Sequence, residues 1–420
     1  MSSYYINGKN RLSGSITVQG SKNSVLPILA AAFLVGGKSV IHNCPVLSDV
    51  SVTVKILEHL GCFVKREHND IYIDSENANG YCIPEELMRE LRSSVIFLGA
   101  VLGRFNKAEM STPGGCEIGL RPIDLHLFSL RKLGAQINCE HGKLVCDCKN
   151  GLKGTVITLS FPSVGATENA VLASCVANGT TTVINAAREP EIVDLCNFLN
   201  HCGAKISGGG ESVIVIDGVK RLHGAEHTVI CDRIAAATYL AAGAVTNGDI
   251  TVKRTVPMHL DTILPVFCEA GCDITVKNDE IRLKAPERLR RADKIITQPY
   301  PGFPTDAQAP VMAVTTVCDG TSVIVENIFE CRFKHVPELL RMGAQIRTQG
   351  KVAVIDGVKG LYGAKVICPD LRGGSALVIA GLCAEGETKV SAVHHIERGY
   401  EDFHNNLRAL NADIRKENEK

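Results

Sequence analysis

The stretch Leu60-Gly-Cys-Phe-Val64 belongs to a motif that returns five more times along the chain, and this repetition decides the fold. The other copies are Leu133-Gly-Ala-Gln-Ile137, Cys202-Gly-Ala-Lys-Ile206, Ala270-Gly-Cys-Asp-Ile274, Met342-Gly-Ala-Gln-Ile346 and Leu410-Asn-Ala-Asp-Ile414. Their second positions fall at 61, 134, 203, 271, 343 and 411, so the interval is always 68–73 residues. Each copy ends a helix-like segment and opens an alternating one, and glycine or asparagine there is typical of a left-handed helix C-cap. Self-similarity at such an interval predicts six copies of one structural unit.

An alanine-rich apolar segment that ends at a glycine alternates with this motif. Its six copies cover residues 22–36, 92–103, 166–179, 232–248, 305–320 and 371–386. A short strand rich in Val, Ile or Thr follows each copy. A helix that is apolar on nearly all sides must be buried on all sides. The pattern therefore predicts an α/β fold of six βαβαβ-type repeats around buried helices.

Six units could form one ring or two domains of three. A length of 420 residues favours two domains, and the charged stretch 218–231 is a suitable crossing point between them.

The composition favours a globular protein and disfavours several other classes. Apolar residues make up 45% of the chain, and 45 basic residues balance 45 acidic ones. A nucleic-acid binder or an electrostatic membrane binder usually has a basic excess. The 17 scattered cysteines include no CxxC pair, so we expect reduced thiols in a cytoplasmic protein and no metal site. The N-terminus has no secretory signal, and the longest near-apolar run, 25–35, is too short to span a bilayer.

Polar and cationic residues gather where the predicted buried helices begin. They are Lys22 and Asn23, Arg92, Ser163, Asp232 and Arg233, Thr305 and Asp306, and Asp370 and Arg372. Each one alone has an ordinary explanation, since Asp306 could be a helix N-cap and Lys22 a solvated turn residue. The repeated cations matter more, because a charge beside a buried helix end needs a partner. Helix N-termini also attract anions, so we expect an anionic ligand.

One loop, residues 112–124, departs from the repeat. It has three glycines within six positions and a cysteine, Cys116, in their midst, which is typical of a flexible, exposed loop. Arg121 would favour the thiolate of Cys116 and Glu117 would disfavour it. On composition alone, a reactive thiol and an incidental surface cysteine are equally compatible with this loop.

Taken together, these stretches resemble the UDP-N-acetylglucosamine 1-carboxyvinyltransferase family, in the EPSP synthase superfamily, along essentially the whole chain. The matching stretches are 20–23, 113–116, 119–126, 163–167, 186–194, 303–306, 332–338, 370–372 and 395–401. The resemblance implies a two-domain inverted α/β prism. Residues 21–230 would form the N-terminal domain with the cysteine loop, and residues 1–20 plus 231–420 the C-terminal domain. The active site would lie in the cleft between them.

The resemblance also implies a reaction, in which the enolpyruvyl group of phosphoenolpyruvate moves to the 3-hydroxyl of UDP-N-acetylglucosamine. This would be the first committed step of peptidoglycan precursor synthesis. Asp306 would be the base, and Cys116 the general acid that can also trap phosphoenolpyruvate covalently. The anionic groups of phosphoenolpyruvate would be held by Lys22, Arg121 and Arg398, helped by Arg332 and Arg372. The sugar nucleotide would contact Asn23, Arg92, Asp306, Ile328, the stretch Arg121, Pro122, Ile123, Asp124 and Leu125, and the turn Ser163 and Val164.

This chemistry requires no metal and no cofactor, and its partners would be the two small-molecule substrates. Residues 160–162 lack the lysine that some members of the family carry just before the Ser163 turn.

Three other functions are compatible with parts of the pattern. The sister enzyme that uses shikimate 3-phosphate shares the Gly-Ser-Lys start but has no cysteine loop. An RNA-end-processing cyclase is disfavoured by the neutral charge and by the absence of its histidine-centred signature. A catalytically silent regulatory paralogue is disfavoured because one chain keeps Lys22, Cys116, Asp306, Arg332, Arg372 and Arg398.

Overall fold

The computed structural model describes residues 2–111 and 123–418, which divide into two compact units. We call residues 20–111 and 123–230 the N-unit, and residues 2–19 and 231–418 the C-unit. None of the helices in these ranges is long and apolar enough to cross a membrane.

The elements follow one another in a recurring order. The chain begins in the C-unit with β1 (Ser2–Asn7) and β2 (Ser13–Thr17). The N-unit contains α1 (Lys22–Val35), β3 (Lys38–His42), α2 (Ser48–His59), β4 (Phe63–Glu67), β5 (Asp70–Asp74), β6 (Cys82–Ile83), α3 (Glu85–Glu90), a 3-10 helix (Arg92–Ile96), α4 (Phe97–Phe105), β7 (Lys107–Ser111), α5 (Asp124–Lys132), β8 (Gln136–Glu140), β9 (Lys143–Asp147), β10 (Val156–Thr158), α6 (Val164–Ser174), β11 (Thr180–Ile184), α7 (Pro190–His201), β12 (Lys205–Ser207), β13 (Val213–Asp217) and β14 (Glu226–Thr228).

The remaining elements belong to the C-unit. They are α8 (Arg233–Val245), β15 (Asp249–Lys253), a 3-10 helix (Pro257–Leu260), α9 (Leu264–Glu269), β16 (Asp273–Lys277), β17 (Glu280–Lys284), β18 (Lys294–Ile296), α10 (Thr305–Thr315), β19 (Thr321–Val325), α11 (Val336–Arg341), β20 (Gln345–Gln349), β21 (Val352–Asp356), β22 (Lys365–Ile367), α12 (Leu371–Cys383), β23 (Glu387–Ser391), a 3-10 helix (Val393–Arg398), α13 (Phe403–Ala409) and β24 (Asp413–Asn418).

The described strands form six four-stranded sheets of one design. The N-unit has the orders β14-β3-β5-β4, β6-β7-β9-β8 and β10-β11-β13-β12, and the C-unit has β2-β15-β17-β16, β18-β19-β21-β20 and β22-β23-β1-β24. Each sheet has one parallel pair at an edge and antiparallel pairing elsewhere. In the last sheet, β1 pairs antiparallel with β23 and β24, so the start of the chain completes the C-unit. The six sheets confirm the predicted α/β fold of six repeats.

The repeated motif has the backbone that its glycines predicted. Gly61, Gly134, Gly203, Gly271 and Gly343 all have φ between 91° and 102°, and Asn411 has φ 76°. Only glycine adopts these angles without strain, and asparagine tolerates them better than most residues. The motif therefore ends each amphipathic helix and turns the chain into a hairpin of two strands.

Three apolar helices fill the centre of each unit. Helices α1, α4 and α6 pack together in the N-unit, and α8, α10 and α12 do so in the C-unit. In α1, every residue from Ser24 to Val35 is buried. Burial of each large aliphatic or aromatic side chain contributes about 1.5–3 kcal/mol, so these helices carry much of the stability of their unit. Their first turns hold most of the polar residues that the sequence singled out.

Candidate active site

In the C-unit, a carboxylate lies between two buried arginines. Asp306, in the first turn of α10, accepts from Arg332 Nη2 at 2.7 Å on one oxygen and from Arg372 Nη2 at 3.1 Å on the other. The arginine side chains are 4% and 3% exposed, and that of Asp306 is 27% exposed. One negative charge therefore faces two positive charges, and the carboxylate is the most accessible of the three groups.

Some of the buried N–H donors of these two arginines make no hydrogen bond with the described residues. Within residues 2–111 and 123–418, Nε of Arg332 and both Nε and Nη1 of Arg372 have no hydrogen-bond partner. A buried charged donor without an acceptor is costly, commonly by about 1–3 kcal/mol or more. An arrangement with this cost suits an oxyanion ligand, because planar guanidinium groups bind carboxylate and phosphate through paired N–H groups.

Backbone hydrogen bonds set the positions of both arginines. Asp370 caps α12 by accepting from the N–H groups of Arg372 at 3.0 Å and Gly373 at 2.9 Å. Glu326, which follows β19, accepts from the N–H groups of Ile328 at 2.9 Å and Phe329 at 3.0 Å. The segment that leads to Arg332 is thus fixed by a buried carboxylate.

Glu326 also contacts α10. Its second carboxylate oxygen accepts from Thr305 Oγ at 3.0 Å, and Thr305 precedes Asp306 in the chain. One side chain therefore ties the start of α10 to the segment that carries Ile328 and Arg332.

In the N-unit, Lys22 and Asn23 form the first turn of α1. Lys22 Nζ lies 2.6 Å from a carboxylate oxygen of Asp49, at the start of α2, and both side chains are largely buried. Close pairing of this kind fixes the ammonium group in one position. The lysine is therefore held where the sequence predicted a cation.

Asp194 on α7 fixes the same end of α1. It accepts from Ser24 Oγ, from His227 Nε2 at 2.9 Å and from the N–H of Ile230 at 3.2 Å. Ser21 in turn donates its N–H to the carbonyl oxygen of Ile230 at 2.7 Å. The turn that contains Lys22 and Asn23 is thus anchored on both sides.

Several N-unit residues that are predicted to contact the sugar nucleotide lie at the starts of two packed helices. Asp124 and Leu125 begin α5 directly after Ile123, and Val164 begins α6 behind its N-cap Ser163, whose hydroxyl accepts from the N–H of Ala166 at 3.4 Å. Helices α5 and α6 contact each other.

A histidine and a glycine make this close packing possible. His126 Nδ1 lies 2.8 Å from Asn169 Nδ2. A Cβ added at Gly165 would lie 2.7 Å from His126 Cε1, so glycine is required there. Burial lowers the pKa of His126 to about 4, which keeps the ring neutral in the core.

The chain matches known proteins over nearly its whole length. The family model described as EPSP synthase (3-phosphoshikimate 1-carboxyvinyltransferase) matches residues 6–407. UDP-N-acetylglucosamine 1-carboxyvinyltransferase 2 of Caldanaerobacter subterraneus is 50% identical over 414 residues, which is 99% of each chain. The chain belongs to the EPSP synthase family, among the UDP-N-acetylglucosamine 1-carboxyvinyltransferases.

Other members of the family agree with this placement. UDP-N-acetylglucosamine 1-carboxyvinyltransferase of Myxococcus xanthus is 47% identical and covers 99% of this chain and 100% of its own. Among solved structures, the enolpyruvyl transferase NikO from Streptomyces tendae superposes with a TM-score of 0.89 at 25% identity, covering 99% of this chain and 98% of its own. EPSP synthase from Acinetobacter baumannii has a TM-score of 0.78 at 17% identity with complete coverage of both chains, which shows the fold alone.

Some of the site residues predicted for this family member lie outside the described ranges. They are Cys116, Arg121 and Pro122, and their roles stay predictions. Arg92 begins a 3-10 helix in the N-unit, and Arg398 ends another in the C-unit, where it is half-buried. Among the described residues of this member, no group of His, Cys, Asp and Glu side chains could hold a metal ion.

The structure shows buried acidic residues that hold the predicted site residues and that the sequence analysis did not identify. Asp49, Asp194 and Glu326 are buried acids that hold Lys22, the start of α1 and the Arg332 segment, respectively. Asp49 and Asp194 come from elements distant in sequence from α1, whereas Glu326 lies only a few residues before Arg332. In the sequence, each appears only as an acidic residue beside an apolar helix or strand, and this pattern is too common to indicate a role.

Glu168 gives this family member a pH-dependent stability. Burial, and then the nearby Glu191 and Glu189 carboxylates, raise the pKa of Glu168 from 4.5 to about 8. The folded state therefore keeps a proton that the unfolded state loses above pH 4.5, and stability falls as pH rises from about 4.5 to about 8. At 1.36 kcal/mol for each pKa unit, a rise of this size corresponds to a loss of about 4–5 kcal/mol.

We expect Glu168→Gln to remove most of this pH dependence. Urea unfolding should find the variant more stable than wild type at pH 8 by about 4–5 kcal/mol, and close to it at pH 4.5. The exposed Glu211→Gln is the matched control and should follow wild type at both pH values. A constant difference between Glu168→Gln and wild type across pH 4.5–8 would contradict the raised pKa.

Proposed function

We propose that this chain transfers the enolpyruvyl group of phosphoenolpyruvate to the 3-hydroxyl of UDP-N-acetylglucosamine and releases phosphate. The observation that carries the proposal is the accessible Asp306 carboxylate between two buried arginines, some of whose donors have no partner among the residues that the structure describes. A reaction that joins a hydroxyl to an anionic enol phosphate needs these groups together. Membership of the UDP-N-acetylglucosamine 1-carboxyvinyltransferases supports the choice of acceptor.

In the proposed mechanism, the substrate anion binds to the arginines and Asp306 takes the proton of the 3-hydroxyl. The sugar oxygen forms a bond to C2 of phosphoenolpyruvate, and C3 receives a proton to become a methyl group. The tetrahedral adduct then loses a C3 proton and the phosphate, and the double bond returns in the product. Each proton transfer by a positioned group accelerates the reaction by about 10²–10⁴-fold.

The other proposed roles follow the family pattern. Cys116 supplies the proton at C3, and Lys22, Arg121 and Arg398 complete the binding of phosphoenolpyruvate together with Arg332 and Arg372. Lys22 is already fixed by Asp49, which favours binding because little side-chain entropy remains to be lost. The sugar nucleotide is proposed to contact Asn23, Arg92, Ile328, the segment 121–125 and the Ser163–Val164 turn.

The reaction in heavy water tests this chemistry. Addition and removal of a proton at C3 should place deuterium in the methylene group of the product and, through reversal, in recovered phosphoenolpyruvate. Both can be measured by NMR. A product free of deuterium would contradict the tetrahedral adduct, whichever residue acts as the acid.

The variant Cys116→Ser tests the proposed role of Cys116. We expect the variant to lose covalent modification by thiol-directed inhibitors such as fosfomycin and to release product at a changed rate. Mass spectrometry of the intact protein measures the first effect, and the buried Cys44→Ser is a control that should still be modified. Undiminished modification of Cys116→Ser would remove Cys116 from the mechanism.

We propose that the protein acts in the cytoplasm, where it would catalyse the first committed step of peptidoglycan precursor synthesis. An acceptor that already carries a nucleoside diphosphate must come from a nucleotidyl transfer reaction.

A further inference from the structure

Tyr400 is a buried side chain that contacts the candidate site without belonging to any of the predicted roles. It lies between the 3-10 helix that ends at Arg398 and helix α13, and it is 1% exposed. Its ring centroid is 5.2 Å from the guanidinium carbon of Arg372. This distance is within the range of a cation–π interaction, which is strongest when both groups are shielded from water.

Three contacts hold this ring in one orientation. The Tyr400 hydroxyl lies 2.8 Å from Thr238 Oγ on α8 and 3.2 Å from Ser375 Oγ on α12. The ring of Phe403 packs against that of Tyr400, with ring centroids 4.7 Å apart. Because two core helices and α13 contribute these partners, the aromatic face cannot turn away from Arg372 without disrupting the core.

Tyr400 also reaches the backbone of Arg372. Ser375 donates its hydroxyl hydrogen to the Arg372 carbonyl oxygen at 2.9 Å, while its oxygen is the neighbour of the Tyr400 hydroxyl. The tyrosine therefore restrains both the first turn of α12 and the guanidinium group at the end of the side chain.

The charges explain why an aromatic face is useful at this position. Two carboxylates act on Arg372, because Asp306 pairs with it while also pairing with Arg332, and Asp232 adds a Coulombic attraction. A further carboxylate placed against the edge of the guanidinium group would occupy the Nε and Nη1 donors. An aromatic ring stabilises the cation through its face and leaves those in-plane donors available.

We propose that Tyr400 is a positioning residue, which holds Arg372 so that its Nε and Nη1 donors face the anionic group of the substrate. The inference rests on the proposed function, since it assigns that anion to phosphoenolpyruvate. Tyr400 acts through Arg372, which the proposed function assigns to phosphoenolpyruvate, so its effect should be specific to that substrate and should not extend to the sugar nucleotide.

The test compares two buried tyrosines of the same unit. Tyr239 is also 1% exposed and packs on Phe403, with ring centroids 5.9 Å apart, and its described hydrogen-bond partner is Asn406 at 3.1 Å. We would measure Tm and the KM for each substrate in Tyr400→Leu, Tyr239→Leu and wild type. Both variants should lose thermal stability, because each removes a similar volume from the core.

We expect Tyr400→Leu to raise the KM for phosphoenolpyruvate at least tenfold and to leave the KM for UDP-N-acetylglucosamine within twofold. Tyr239→Leu should leave both values within twofold. Tyr400→Phe keeps the aromatic face and should restore the KM for phosphoenolpyruvate to within threefold of wild type.

Two results would overturn the proposal. One is an unchanged KM for phosphoenolpyruvate in Tyr400→Leu, and the other is an equal rise of both KM values, which a general structural role would give. If the Leu variants unfold, the KM for phosphoenolpyruvate in Tyr400→Phe and Tyr400→His tests the proposal instead. Histidine keeps a smaller aromatic face, so its KM should be higher than that of Tyr400→Phe. Absence of turnover in the folded wild-type protein would instead overturn the proposed function and this inference together.

Discussion

Asp306→Asn is expected to lower kcat by about 10²–10⁴-fold while the protein stays folded. The amide still accepts a hydrogen bond from Arg332 or Arg372, but it cannot take a proton from the sugar hydroxyl. Asp306→Ala should abolish turnover, and it should also lower stability because it leaves two buried cations without their carboxylate. Phosphate release gives kcat, and thermal unfolding followed by circular dichroism tests the fold.

Asp249→Asn provides the matched control for this prediction. Asp249 forms an ion pair with Arg282 at 2.7 Å in the same unit, and that arginine side chain is 56% exposed. Exposed pairs contribute little, so kcat should stay within twofold of wild type. Wild-type turnover in Asp306→Asn would remove Asp306 as the base.

Arg372→Met is expected to lower kcat/KM for phosphoenolpyruvate by about 10²–10³-fold. Loss of one partner from a buried charge pair costs about 2–5 kcal/mol, and each 1.4 kcal/mol corresponds to a factor of ten. Methionine has similar length and fills the buried space, so packing changes less than the charge does. Steady-state kinetics with phosphoenolpyruvate as the varied substrate measures the effect.

Arg282→Met is the matched control. It removes an exposed arginine from its ion pair with Asp249, so kcat/KM for phosphoenolpyruvate should stay within twofold of wild type. Arg372→Lys separates charge from geometry. Lysine restores a positive charge but not the planar pair of donors, so we expect only partial recovery. Full activity in Arg372→Met would show that the substrate anion binds elsewhere.

The repeated features of the fold could be predicted from the sequence because they depend on local chemistry. Gly61 and its equivalents mark helix ends by their backbone angles alone, and the six buried helices are apolar on all sides. The hairpins were less accessible to sequence reasoning. The turn between β4 and β5 has His68 at positive φ, and histidine does not mark a turn in the way that Asn278 does between β16 and β17.

The candidate site could be predicted only in part, because its partners are distant in sequence. The cations Lys22, Arg332 and Arg372 stand out from their apolar surroundings. The groups that hold them do not, since Asp49 and Asp194 reach α1 from α2 and α7, and Tyr400 reaches Arg372 from the segment before α13. Tertiary contacts of this kind follow from the packing of repeats and leave no local pattern.

The measurement that tests the central claim most directly is phosphate release from phosphoenolpyruvate with each of two acceptors. The proposed function predicts release with UDP-N-acetylglucosamine, a product heavier by one enolpyruvyl group, and no release with shikimate 3-phosphate. Release with shikimate 3-phosphate would contradict the choice of acceptor. Folded protein that releases phosphate with neither acceptor would contradict the assignment of enolpyruvyl transfer itself.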